Sequence, residues 1–200
     1  MLSANNIALK EWAVICHELG AGRQITLLRK GGIREPSRGF TVEHREFFLF
    51  PTYLHEAEDE LVETARPVLA DVVSDTPPAG ELRLELYAVV QAAIEVPTLE
   101  PLGRLAGHHI LAWSAVERRF HYRRPGLHVI ALRVYRLPQP LVVPNLFRYD
   151  GCRSWVALES ELPVTGAHPV LDDPSFRQRL TTLREALGVD PSARSAHRSA

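Results

Sequence analysis

Apolar positions near the start of the chain fall at helical spacing. Leu9, Trp12, Ala13, Cys16 and Leu19 stand at i, i+3, i+4, i+7 and i+10, one face of a helix, with Asn5 or Asn6 as its cap and Gly20 and Gly22 at its end. Ile25–Leu28 then reads as a buried strand closed by Gly31-Gly32. Phe47-Phe48-Leu49-Phe50, ahead of Pro51, reads as a strand or an apolar turn. Thr52 is the expected N-cap of a helix over YLHEAEDELVETA, because acids crowd its early turns where they suit the macrodipole; Pro67 would interrupt it. Ser74–Gly80 is a loop.

The second half is more sharply patterned. From Glu81, Leu82, Leu84 and Leu86 alternate with Glu81, Arg83 and Glu85, so Glu81–Val96 begins as a half-buried strand. Thr98–Leu105 suggests a helical turn, and Ile110, Trp113, Val116 and Phe120 mark a helix with arginines at its C-terminal end. After a Pro125-Gly126 turn, Leu127–Leu137 should be a strand that Pro138, Pro140 and Pro144 break. Ser154–Leu158 is a short strand candidate. Phe176, Leu180, Leu183 and Leu187 give the stripe of a last helix over Pro174–Leu187, stopped by Gly188. The order predicts an α+β fold: one domain over 1–188 with a curved, mostly antiparallel sheet, flanking helices and a C-terminal helix outside, followed by a disordered tail over 189–200.

Composition fits that picture. The chain has 200 residues, 46% hydrophobic and 24% charged, which is enough apolar content to fill a core without disulfides or metals. Cys16 and Cys152 are its only cysteines and form no CxxC pair, so two reduced thiols are expected. No apolar run approaches the roughly 20 residues of a membrane span, and MLSANNIALKEWA lacks a basic start followed by an apolar core. A cytoplasmic protein without membrane contact is the expectation.

Charge changes the picture more. The formal net charge of −1 hides a division. Residues 56–100 hold eleven acids and two arginines; residues 101–148 hold eight arginines and one acid. Either these segments neutralise each other within the fold, or the arginines form a basic site for a polyanion. Of the 23 basic residues, 21 are arginine, the better phosphate fork.

The candidate chemistry follows from this. Arg29-Lys30-Gly31-Gly32 ends a strand with two cations and two permissive glycines, a way to offer backbone N–H groups and positive charge to an anion. With Arg118, Arg119, Arg133 and the neighbouring arginines to hold phosphate, and Trp113 or Phe48 to stack a base, they compose a nucleic-acid or nucleotide site for RNA, DNA or a nucleotide. The alternative is a metal-dependent hydrolase or nuclease using His44, His55 and Glu35; HExxH fails because Asp59 stands at the second histidine position, and no metal or other cofactor is expected. A third reading is a structural or protein-interaction domain.

ALKEWAVICHELGAGRQITLLRKGGI and FTVEHREFFLFPTYLHE, with the later HHILAWSAVERRF and GLHVIALRVYRLPQP, resemble the bacterial family called domain of unknown function 1802. That resemblance covers about residues 8–145 and implies no activity. Trp12-Ala13, the turn at Gly20–Gly22 and a strand ending in Arg29-Lys30 are also similar to the opening of PUA-like domains of the ASCH type. That second resemblance implies a barrel-like module binding RNA or modified nucleotides, although the glutamate expected before the strand-end arginine is replaced by Leu27 and Leu28.

Overall fold

The structure is a computed structural model, and it describes residues 1–30, 43–53, 57–151 and 153–189. Its elements run β1 (Ala4–Trp12), α1 (Ala13–Gly20), β2 (Thr26–Arg29), β3 (Glu46–Thr52), α2 (Arg66–Ser74), β4 (Glu81–Val96), α3 (Glu100–Gly103), α4 (Trp113–His121), β5 (Leu127–Pro144), β6 (Trp155–Pro163), β7 (His168–Pro169) and α5 (Asp173–Ala186). The strands form one open sheet in the order β2-β5-β4-β3-β1-β6, with β7 beside β5. Among the described residues β1 and β3 run parallel and every other pairing is antiparallel. The fold is the expected α+β arrangement. Among the described residues no helix is long and apolar enough to cross a membrane.

Apolar side chains pack on both faces of the sheet. Under α1, α4 and α5, Val14, Leu19, Val116, Phe120 and Leu183 join Leu9, Phe47, Ala88 and Leu132. On the other face Ala8, Phe48, Leu84 and Tyr87 meet Val156 and Leu158 of β6. Tyr87 ties this second core to polar groups: its hydroxyl takes a hydrogen bond from Asn5 Nδ2 (3.0 Å) and donates to Glu46 Oε2 (3.1 Å).

Four local expectations are corrected. The first helix does not begin at Asn5 or Asn6: the chain is extended through Trp12 and turns helical at Ala13. β1 is buried on both faces, Leu9 in one core and Ala8 in the other, so its apolar spacing reflects two cores rather than one helical stripe. Thr52 does not cap a helix. It ends β3, and its hydroxyl donates to the Glu11 carbonyl (3.1 Å). Pro67 does not interrupt α2 but sits in its first turn, where the missing N–H costs nothing. Finally, Pro138 and Pro140 do not end β5. They fall where the ladder is already irregular, because Leu86 pairs with Arg136 whereas Leu84 pairs with Leu141.

That irregularity also re-aims β4. Leu82 and Leu84 enter one core, as their alternation requires, but after the register shift Leu86 enters the other. α5 closes the described chain: Asp172 caps it by accepting from the Ser175 N–H (2.7 Å). The expected tail lies outside the described residues except for Val189, whose N–H still donates to the Arg184 carbonyl (2.9 Å).

Candidate functional site

A cleft of about 470 Å³ opens between α1, α2 and the edge of β3, β4 and β5. It exists because α2 stands off the sheet: the side chains of its nine residues are half-buried or exposed. Ala13, Leu49, Pro51, Val72 and Leu86 give it apolar walls. Its polar groups come from α1 (Cys16, His17), Tyr53, α2 (Asp71, Asp75), β4 (Arg83, Glu85) and β5 (Arg136). The β4 register shift is what brings Glu85 and Leu86, adjacent in sequence, into the same cleft.

The charges form a chain. Arg83 binds the Asp75 carboxylate and donates to its carbonyl (2.9 Å), while its Nε lies 3.0 Å from Glu85 Oε1. The other Glu85 oxygen takes a bond from Arg136 (3.3 Å), which also donates to the Gly20 carbonyl at the end of α1 (2.8 Å). Gly20 permits this approach, since a Cβ there would lie 3.0 Å from Leu86 and 3.1 Å from the Arg136 guanidinium. The hydrogen bond with Asp75 strengthens the hold of Arg83 on its proton, and burial pushes the Tyr53 phenol up. Cys16, 6% exposed, lies in the wall.

A second polar cluster sits at the ends of β1 and β2. Arg29 donates to Glu11 Oε2 (3.0 Å) and to the Lys10 carbonyl (3.2 Å). Arg118 and Arg119 share Glu60, at 2.5 and 3.7 Å, and the Arg119 guanidinium lies over the Trp12 ring, 4.8 Å from its centre. Burial lowers the proton affinity of Arg119, and the charges of Glu11 and Glu60 oppose that shift. Lys30 turns inward: its ammonium donates to the carbonyls of Phe120 (2.9 Å), Gly126 (2.6 Å) and Arg124, closing the end of α4 and the turn after it.

The other residues singled out from sequence lie apart. Arg133 is buried and holds the start of α5 through the Asp172 carbonyl (3.1 Å) and Asp173 (2.7 Å), with its guanidinium over Phe176. Trp113 is 46% exposed on α4. His44 packs edge-on against Trp155 (5.2 Å between ring centres). Phe48 is fully buried against Tyr87, so no base can stack on it. Gly31, Gly32, Glu35, His55 and Cys152 lie outside the described residues. Among the described residues no group of three or more histidine, cysteine, aspartate or glutamate side chains is placed to hold a metal.

The structure places Arg29, Arg118 and Arg119 at one end of the sheet with Glu11 and Glu60, and sequence reading missed the cleft. Arg83 and Glu85 stand at the polar positions of an alternating strand and read there as a solvated face. Alternation sets them opposite Leu82 and Leu84, but nothing local reveals that α1 and α2 stand over that face.

A family model described as "Domain of unknown function (DUF1802)" matches residues 8–182. Among solved structures the chain is similar to ASCH from Zymomonas mobilis, with 11% identity over 88% of this chain and 94% of that one, at a TM-score of 0.42. A single-residue variant of the same protein gives 11% identity over 92% and 99%, again at 0.42. No curated protein matches the chain.

Proposed function

The chain belongs to the DUF1802 family, and from that premise we propose a nucleic-acid- or nucleotide-class binding module that takes a nucleoside, free or within a strand, in the cleft between α1, α2 and the sheet. The observation that carries this reading is the cleft itself. Its volume of about 470 Å³ falls in the range of roughly 300–1,000 Å³ typical of small-molecule sites. Apolar walls face a rim that alternates donors and acceptors: Asp75, Arg83, Glu85, Arg136. A nucleobase is flat, apolar on its faces and lined with donors and acceptors along its edge, so it matches both surfaces. Tyr53 offers a ring at the wall.

For a longer strand, the exposed arginines on and after α4 supply backbone contacts. Arg118 is 57% exposed despite its Glu60 partner, and residues 122–124, just past α4, are exposed, with the Arg123 guanidinium over Tyr122.

The test is calorimetric titration with the four ribonucleosides and short single-stranded RNA. Binding is expected for at least one nucleoside, and Val72→Trp, which fills the cleft from the outer helix, should weaken it at least about tenfold with an unchanged melting temperature. Unaltered binding in that variant, or no nucleoside bound at millimolar concentration, rejects the reading.

A further inference from the structure

We infer that the cleft admits base and sugar but excludes a phosphate, and that Glu85 is the residue that sets this specificity. The inference rests on the nucleoside reading above and deepens it. Two guanidiniums face the cleft, and either alone would suit a phosphate. Neither is free to act as an anion site. Arg83 lies between the Asp75 and Glu85 carboxylates, and Arg136 lies between Glu85 and the Gly20 carbonyl. Glu85 is the shared member, with one oxygen on each arginine (3.0 and 3.3 Å).

The sum over the cleft points the same way. Asp71, Asp75 and Glu85 set three carboxylates against two guanidiniums. A phosphate entering there meets a net negative lining and must displace Glu85 from both partners, whereas an uncharged base can bond to the unused edges of the same groups. The position is also built rather than incidental. Alternation along β4 sets Arg83 and Glu85 opposite Leu82 and Leu84, on the cleft side of the sheet, and the missing side chain at Gly20 leaves room for the Arg136 guanidinium.

The experiment compares wild type, Glu85→Gln and Asp75→Asn by titration with the ribonucleosides, their 5′-monophosphates and inorganic phosphate. Glutamine keeps the size and one acceptor of Glu85 but removes its charge. Wild type should bind its preferred nucleoside at least about tenfold more tightly than the monophosphate. In Glu85→Gln that ratio should shrink at least about tenfold, and inorganic phosphate should begin to bind. Asp75→Asn should shift it less, since Arg136 stays paired. A monophosphate bound by wild type as well as the nucleoside, or a ratio unchanged in Glu85→Gln, overturns the inference and leaves the nucleoside reading standing. If no nucleoside binds any variant, that reading fails, and the role of Glu85 is decided by inorganic phosphate alone: a gain in Glu85→Gln supports it and no gain rejects it. A melting temperature for each variant separates these outcomes from loss of fold.

Discussion

Single residues show how far local chemistry depends on what surrounds it. Lys30 follows an arginine and precedes two glycines, a pattern that suggests charge offered to a ligand, yet its ammonium is spent on three carbonyls at the end of α4. Nothing in its own neighbourhood could reveal partners about 90 positions away. The fold also changes how His109 titrates. Burial and the nearby charges of His108 and Arg119 push its imidazole down to about 4, and its Nδ1 accepts from the Leu111 N–H (3.1 Å). The folded state therefore favours neutral His109, and the unfolded chain takes up the proton first as pH falls. Stability should be unaffected above about pH 6.5 and should decline between there and pH 4, by about 2 kcal/mol for this half-buried group. His109→Asn keeps an acceptor near the position of Nδ1 and cannot titrate. Urea unfolding at pH 7 and pH 4.5 should show a smaller acid loss in the variant than in wild type; equal losses would mean that other groups control the acid limb.

At the scale of elements, legibility follows periodicity. α4 and α5 could be read because each presents a single apolar stripe, β4 because its first residues alternate before the register shift, and β5 because its apolar run follows the Pro125-Gly126 turn. β1 and α1 merged into one apparent helix because a strand buried on both faces carries no alternation. Arg133 joins two legible elements by a contact neither announces. Its side chain is 7% exposed and links the middle of β5 to the start of α5, although its partner Asp173 is 74% exposed. Arg133→Met keeps the packing stem but removes the bonds to Asp172 and Asp173, so a loss of about 1–2 kcal/mol is expected, discounted for that exposed partner. Limited proteolysis should then cut α5 first. A variant that resists protease like wild type would show that Phe176 and Leu183 dock the helix unaided.

For the molecule as a whole, the near-zero net charge resolves into contacts. The acidic stretch over 56–100 and the arginine-rich stretch over 101–148 meet through Glu60 with Arg118 and Arg119, Glu85 with Arg136, and Glu100 with Arg104. The division of charge was legible in the sequence; which carboxylate meets which arginine was not, because that depends on strand order. These pairs are mostly exposed, so each contributes little. Raising salt from about 0.05 to 0.5 M should lower the urea midpoint by the equivalent of about 1 kcal/mol or less. A rise in stability instead would mean that repulsion within each stretch outweighs attraction between them. The parallel neighbours β1 and β3 carry a different consequence, one of timing. β1 precedes both of its partners along the chain: Ala8 can meet Phe48 once β3 is made, but its other flank pairs Ala8 with Val156 of β6. While the segment between Phe48 and Val156 is being synthesised, β1 must be carried with one row of backbone donors and acceptors still open.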